Sequence, residues 1–373
     1  MKIGLLVTPA AGTPQVVARA EQYGFDSAWF VDSPLVFGDP LVSMAASAAL
    51  TSRITVATGV TNPVLRSAPL LAASIASLNT LAPGRVALGI GTGFTSTGSL
   101  GLPPANLATL ERFVGEMRGM LRGDVVEVQM PDGALRHAGF VNPTLPWVDV
   151  EHPVPVYVAA AGPRILRDAA RYADAVLLGG MTQPEIVAAC IETIRACREE
   201  AGLDPDAMEV AITPSVYLTD RDIDLDDEAD FVELREALGP KSLAPAINFS
   251  RIAEQSPNVP RNVVDALVAV RKAYKPPAED DGDPATRHLR KYRGYMRELS
   301  DEQRPLATRE VLRATTICGS PAQCVTQIRA LQEAGVGHVI LSSLPQHLTH
   351  VLDAFGTDVL PALRQRESAA VRR

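Results

Sequence analysis

Residues 84–93, GRVALGIGTG, join a short apolar run to three alternating glycines. A dinucleotide-binding fingerprint has its glycines in the order G-x-G-x-x-G, at the turn between a strand and a helix. Phe94 stands where the third of those glycines would be. The stretch therefore predicts a buried strand followed by a glycine-rich loop, and it argues against a dinucleotide fingerprint.

Eight short apolar runs have the length and composition of buried parallel strands, and longer helical segments separate them. Near both ends of the chain, a helical segment, a glycine and a strand follow one another, in residues 21–30 and 331–341. Since a closed barrel places its first and last strands side by side, we predict an α/β fold of the (β/α)8 TIM-barrel type; an open doubly wound sheet is the alternative. The predicted strands are Lys2–Val7, Ser27–Val31, Ile54–Ala57, Arg85–Ile90, Val154–Ala159, Ala175–Leu178, Val210–Leu218 and Val339–Leu341.

Two segments depart from the simple alternation. Residues 122–153 predict a β-hairpin insertion after the fourth unit, with its turn at Pro131, Asp132 and Gly133. Residues 220–310 are polar and charged, and they predict a helical insertion between strands 7 and 8, with an exposed loop at 275–284. We expect residues 1–373 to form a single barrel domain that carries both insertions.

The composition excludes several classes of function. A net charge of −8 and a pI near 5.4, without a cluster of Lys and Arg, argue against nucleic acid or a membrane surface as partner. No apolar run is long enough to span a membrane, and the four cysteines have spacings typical of buried free thiols, so we expect a cytoplasmic protein. The six histidines are scattered, which predicts no metal site, and no G-x-S-x-G motif of a serine hydrolase occurs.

In a barrel the functional residues gather at the carboxyl ends of the strands. Asp32 is the carboxylate placed at an early strand end, where it could orient a ring or shuttle a proton; a loop acid or helix N-cap is the alternative. The segments Gly91–Gly93, Ala161–Pro163 and Gly179–Gly180 would let backbone N–H groups approach a phosphate, although ordinary turns also use glycine. This mouth suits a large bound cofactor.

Five blocks of the sequence resemble, in order, those of the bacterial luciferase-like flavin and deazaflavin oxidoreductases. Within that superfamily, the chain is most similar to the methylenetetrahydromethanopterin reductase-like branch. The resemblance covers nearly the whole chain and is specific for the fold, but less specific for the cofactor. The blocks are YGFDSAWFVDSP (23–34), RITVATGVTNPVLRSAP (53–69), GRVALGIGTG (84–93), PVYVAAAGPRILRDAARYADAVLLGG (155–180) and ATTICGSPAQCVTQIRALQEAGVGHVIL (314–341).

The resemblance implies a homodimeric barrel that holds coenzyme F420, a deazaflavin, or alternatively FMN, with the ring across the mouth. It also implies a bulge after strand 3 with a non-proline cis peptide bond between Gly59 and Val60. The candidate catalytic residue is Asp32. The candidate cofactor-binding residues are Thr58, Gly59, Val60, Asn62, Gly91, Thr92, Gly93, Ala160, Ala161, Gly162, Gly179 and Gly180.

The chain departs from the family pattern in its acids and histidines. Several relatives carry an acid at the end of strand 1 and a histidine beside the strand-2 acid, where this chain has Thr8 and Ser33. The main hypothesis is an F420-dependent oxidoreductase that transfers a hydride between C5 of the coenzyme and a small organic substrate. The alternatives are an FMN-dependent luciferase-like monooxygenase, which uses O2 and reduced flavin from a partner reductase, and an inactive binding barrel.

Overall fold

The computed structural model describes residues 1–130, 132–274, 283–286, 288–289 and 298–370. Short, mostly buried runs rich in Val, Ile, Leu and Ala form the strands, as expected where helices cover a parallel sheet. In chain order the strands are β1 Lys2–Val7, β2 Ser27–Phe30, β3 Thr55–Thr61, β4 Val86–Ile90, β5 Val126–Gln129, β6 Leu135–Ala138, β7 Val156–Ala159, β8 Ala175–Leu178, β9 Glu209–Ile212, β10 Ser215–Leu218, β11 Thr316–Gly319 and β12 His338–Ser342.

The parallel strands close into a barrel. Their order is β1-β2-β3-β4-β7-β8-β9-β12, and β12 pairs in turn with β1. The closing register runs from Lys2 opposite His338 to Leu6 opposite Ser342. The predicted (β/α)8 barrel is therefore confirmed, and the open sheet is wrong.

Helices cover the barrel, and several begin at the capping residues that their sequences supply. Asp39 accepts hydrogen bonds from the first turn of the helix Pro40–Leu50, and Ser320 forms a capping box with Gln323 at the start of the helix Pro321–Glu333. The helices are α1 Thr13–Tyr23, α2 Pro40–Leu50, α3 Ala68–Leu81, α4 Phe94–Gly98, α5 Leu107–Leu121, α6 Pro163–Tyr172, α7 Pro184–Glu200, α8 Glu228–Gln255, α9 Arg261–Ala273, α10 Arg309–Thr315, α11 Pro321–Glu333, α12 Leu348–Ala354 and α13 Leu360–Ala370.

The strand predictions need correction in three places. The predicted strand Val210–Leu218 is divided into β9 and β10 at Thr213 and Pro214, since proline has no N–H to donate to a sheet. The short strand β11, which pairs in parallel with β10, was not predicted. Strand β3 continues to Thr61 instead of ending at Ala57, because a register shift between Thr58 and Thr61 lets it pair with β4 beyond the irregularity.

Both insertions contain the predicted kinds of element. Strands β5 and β6 form an antiparallel hairpin, and α8 and α9 occupy the segment between β10 and β12. Most of the loop predicted at 275–284, together with Pro131 of the hairpin turn, lies outside the described residues. Within the described ranges, no helix has both the length and the apolar composition that a membrane span needs.

A polar network occupies the floor of the barrel, at the amino ends of the strands. The Trp29 indole N–H donates to Ser27 Oγ at 2.9 Å, and Ser27 Oγ lies 2.8 Å from His338 Nε2. Glu209 extends the network: its Oε2 pairs with Lys2 Nζ at 2.7 Å, and its Oε1 lies 3.2 Å from His338 Nδ1 without forming a hydrogen bond. Burial alone would raise the pKa of Glu209, but these two partners outweigh it and lower the pKa to about 2.

Candidate active site

The bulge in β3 forms one side of the barrel mouth. The peptide bond between Gly59 and Val60 is cis, as the resemblance implied. A Cβ on Gly59 would lie 2.9 Å from Leu6 Cδ1 and 3.1 Å from Trp29 Cβ, so the backbone approaches the barrel interior closely. The side chain of Val60 lies against β4, where a Cβ on Gly89 or Gly91 would meet its methyl groups at 2.9 Å. Glycine in β4 thus makes room for Val60.

Thr58 and Asn62 hold the two ends of this bulge. The Thr58 hydroxyl donates to the Gly89 carbonyl oxygen at 2.8 Å and accepts from the Gly89 N–H at 3.0 Å. Asn62 Oδ1 accepts from the N–H groups of Val64 and Leu65, both at 3.1 Å, and its Nδ2 donates to Ser96 at 3.0 Å. Both side chains are fully buried and serve the loop itself.

Asp32 forms an ion pair with Arg66. Its two carboxylate oxygens accept from Arg66 Nε at 2.7 Å and Nη2 at 3.1 Å, and Asp32 is only 4% exposed. Arg66 also donates to Asp39 at 2.9 Å, and these carboxylates raise the pKa of Arg66 above its ordinary value. The arrangement ties the loop after β2 to the loop after β3, which favours a positioning role for Asp32 over proton transfer.

The glycine loop after β4 has a fixed conformation. Gly93 has φ of +90°, and its carbonyl oxygen accepts from the N–H and the hydroxyl of Thr97. The Gly91 N–H donates to the Thr61 carbonyl oxygen at 2.8 Å, which joins this loop to the end of β3. Thr92 stays partly exposed beside these glycines. The loop therefore lies at the mouth, next to the bulge.

The turn after β7 leaves open space. Ala160 is buried, whereas Ala161 and Gly162 are partly exposed. Gly162 precedes helix α6, whose first turn has no side-chain cap, and no atom lies within 4 Å of the place that a Cβ on Gly162 would take. The uncapped N–H groups of this turn fit an anion.

The glycines after β8 pack beneath α8. A Cβ on Gly180 would lie 3.2 Å from Cγ of Pro245, and one on Gly179 would lie 3.7 Å from the ring of Phe249. Gly180 is buried there, while Gly179 keeps partial exposure. These contacts place α8 across the β8 side of the mouth, and Gly180 makes room for this helix. Whether they also contact a phosphate stays a prediction.

Lys241 of α8 is a mouth residue that the sequence prediction missed. Its Nζ donates to the Ser343 carbonyl oxygen at 3.0 Å and to Ser342 Oγ at 3.3 Å, at the carboxyl end of β12. Burial lowers the pKa of Lys241 to about 8. A signal was present, because Lys241 is the charged residue in an otherwise uncharged stretch between Glu236 and Arg251.

The chemistry that these residues offer is binding, orientation and hydrogen-bond donation. In the part of the chain that the structure describes, no group of three or more His, Cys, Asp or Glu side chains could hold a metal ion. The four cysteines are buried and free, and burial raises the pKa of Cys190 and Cys324 to about 12. The thiols are therefore unsuited to act as nucleophiles.

Comparison with known proteins assigns the class. The family described as luciferase-like monooxygenase matches residues 5–338, and the chain belongs to this family. It is an oxidoreductase of the luciferase-like class, which confirms the resemblance.

Relatives in sequence and structure extend over most of the chain. The 5,10-methylenetetrahydromethanopterin reductase of Methanolobus tindarius is 29% identical over 328 residues, which cover 87% of each chain. The F420-dependent glucose-6-phosphate dehydrogenase of Intrasporangium calvum is 26% identical over 370 residues, 93% of this chain and 92% of that one. The structure of the coenzyme F420 dependent tetrahydromethanopterin reductase from Methanopyrus kandleri has a TM-score of 0.65 at 20% identity, and it covers 97% of this chain and 99% of its own.

Proposed function

We propose that the protein is an F420-dependent oxidoreductase that transfers a hydride between C5 of the coenzyme and a small organic substrate. The observation that carries the proposal is the near full-length match to relatives named for F420-dependent reactions, a dehydrogenase in sequence and a reductase in structure. Those two names differ in substrate. Both names include coenzyme F420, and dependence on F420 is the property that we propose for this chain.

The residues at the mouth fit a phosphate-bearing tricyclic coenzyme. Gly162 leaves room beside the uncapped start of α6, where the phosphate would accept backbone hydrogen bonds. The Thr61 hydroxyl, at the end of β3, is buried and has no hydrogen-bond partner among the described residues. A buried polar group without a partner is costly in a completed site, so a bound group that satisfies Thr61 would stabilise the complex.

The chain's contribution would be orientation. Gly59 and Val60 would support the ring, while Thr58 and Asn62 fix the loop that carries them. The ribityl phosphate side chain of the coenzyme would lie against the loops after β4 and β7, at Gly91, Thr92, Gly93, Ala160, Ala161 and Gly162. Gly179 and Gly180 are further candidates for that contact. When bound, the coenzyme would supply the hydride donor or acceptor at C5.

A fluorescence titration tests the choice of coenzyme. We expect the purified protein to bind F420 with saturable quenching of the deazaflavin emission, and to bind FMN more weakly. Gly162→Val should weaken F420 binding by about tenfold or more, because its side chain would enter the space beside the α6 N-terminus. Gly115→Val, on the exposed face of α5, is the matched control. Binding of FMN without binding of F420 would reject the proposal.

The family description favours a second candidate, an FMN-dependent monooxygenase of the luciferase type. Such an enzyme would need a partner reductase to supply reduced FMN, and it would consume O2. Oxygen uptake in the presence of reduced FMN separates the two candidates, because a reduced deazaflavin scarcely reacts with O2. Substrate-stimulated uptake with reduced FMN would favour the monooxygenase.

We also propose that the chain is a cytoplasmic homodimer with residues 1–373 as a single domain. Helices α2 and α3 carry exposed apolar side chains, with Val42 at 70% and Leu70 at 69% exposure, and these side chains are available for a subunit contact. Light scattering should give a dimer for the native chain and a monomer for Val42→Asp combined with Leu70→Asp. Val141→Asp, in the hairpin region, is the control and should remain dimeric.

A further inference from the structure

The Lys241 ammonium group contacts Ser342 and Ser343 at the carboxyl end of β12, and both this ammonium group and the Ser343 hydroxyl have unused hydrogen-bonding capacity. The Lys241 ammonium group has three N–H donors, and two of them bind the Ser343 carbonyl oxygen and Ser342 Oγ. The Ser343 hydroxyl oxygen is buried and has no hydrogen-bond partner within the described ranges. Two donors on neighbouring groups therefore remain available at the mouth.

The Lys241 cation also lacks a balancing charge. Desolvation is the cause that lowers its pKa, and no carboxylate among the described residues forms an ion pair with it. An amine removed from water without a counter-ion costs free energy, and a ligand that supplies the opposite charge removes this cost. The two hydrogen bonds to neutral oxygens hold Lys241 in place without neutralising it.

We propose that Lys241 and Ser343 form a subsite for an anionic oxygen of the substrate, as found in a carboxylate or a phosphate group. This inference rests on the proposed function, since it assigns a substrate class to the same mouth. The third N–H of Lys241 and the hydroxyl of Ser343 would each donate to the anion. The bound anion would thereby pair the partly buried cation and satisfy the buried hydroxyl.

The subsite is separated from the expected coenzyme phosphate. The glycine loop and Gly162 follow β4 and β7, which are the fourth and fifth strands around the barrel, whereas β12 is the eighth. The anion of the substrate and the phosphate of the coenzyme would thus bind on opposite sides of the mouth. This separation lets one small molecule and one coenzyme bind together, as hydride transfer requires.

Lysine-selective NMR tests the subsite in the native protein. The chain contains five lysines, so protein labelled with 13C at the lysine Cε gives few signals, and the signal absent from Lys241→Arg identifies Lys241. Inorganic phosphate and acetate are the probes, each compared with chloride at equal ionic strength. We expect at least one probe to move the pH midpoint of the Lys241 signal upward from about 8, and to leave that of the exposed Lys272 unchanged.

Variants measure the contribution of each donor to probe binding. Lys241→Met should weaken binding of the effective probe by about tenfold or more, and Ser343→Ala by about threefold to tenfold. Lys272→Met is the matched control and should bind the probe as the native chain does. An effect of phosphate alone would identify a phosphate-bearing substrate, and an effect of acetate alone a carboxylate; both support the subsite.

Two results would overturn the inference. The first is a Lys241 signal that responds to neither probe in a protein that binds F420. The second is F420 alone producing the same upward shift, since the subsite would then belong to the coenzyme. Failure of the proposed function would look different: the Lys241 signal would respond to the probes, but the protein would not bind F420.

Discussion

The floor and the mouth of this barrel differ in how they pair their charged side chains. On the floor, Trp29, Ser27, His338, Glu209 and Lys2 contact one another in a continuous network, and three of them are at most 2% exposed. At the mouth, the Ser343 and Thr61 hydroxyls have no partner among the described residues, and the Lys241 cation has no counter-ion. The Lys2–Glu209 ion pair on the floor is complete within the folded chain, whereas the Lys241 charge at the mouth remains available to a ligand.

The largest expected effect is on the floor. Trp29→Ala should lower the free energy of unfolding by about 3 to 5 kcal/mol, because it removes a fully buried ring and the donor to Ser27. Denaturant unfolding measures the loss. Trp147→Ala, at a position that is 67% exposed, is the matched control and should change stability little. Equal losses in the two variants would contradict the role given to the floor.

Substitution of Asp32 tests whether its ion pair with Arg66 near the mouth is structural. Asp32→Asn should cost about 2 to 3 kcal/mol of stability, since it leaves the half-buried Arg66 without its bidentate partner. Asp39→Asn removes the second partner of the same arginine at a side chain that is 46% exposed, and should cost less than about 1 kcal/mol. Thermal unfolding compares the two. Loss of turnover in Asp32→Asn at unchanged stability would instead favour a direct catalytic role.

Acid should weaken the floor through Glu209. Its folded-state pKa of about 2 lies below the ordinary value of 4.5, so the unfolded chain takes up the proton first as the pH falls. Stability is therefore fully present above about pH 4.5 and is lost between about pH 4.5 and 2, by at most on the order of 3 kcal/mol. In Glu209→Gln this component of the stability curve should disappear. Glu333→Gln, at an exposed position, should retain it.

The tight packing between floor and mouth gives the smallest of these effects. Gly89→Ala should destabilise the chain by about 1 to 3 kcal/mol, since its Cβ would lie 2.2 Å from the Thr58 carbonyl oxygen. Gly115→Ala, in α5 with no neighbour within 4 Å, should instead stabilise it by about 0.5 kcal/mol or more. Opposite signs in thermal unfolding would support the close approach of β3 and β4, and a neutral Gly89→Ala would contradict it.

Local patterns were sufficient for most of the barrel strands and for part of the mouth. Apolar runs such as Lys2–Val7 and Ala175–Leu178 match the observed strands residue for residue, because burial on both faces leaves few polar positions. The break at Pro214 and the four-residue strand β11 were not predicted. A split strand has the appearance of one apolar run, and β11 begins with threonine and ends with glycine, so it lacks the continuous apolar run that marks Ala175–Leu178.

The sequence by itself determined the alternation of strands and helices, the glycine-rich strand ends and the family resemblance, since each depends on residues that are close along the chain. Only the tertiary structure decided which groups meet. Arg66 reaches Asp32 across 34 residues, and Lys241 reaches Ser343 across 102. The packing of α8 on the β8 side brings Lys241 to the mouth, and no local pattern encodes that contact. The physical reason is that a charge is costly or useful only according to what lies beside it in space.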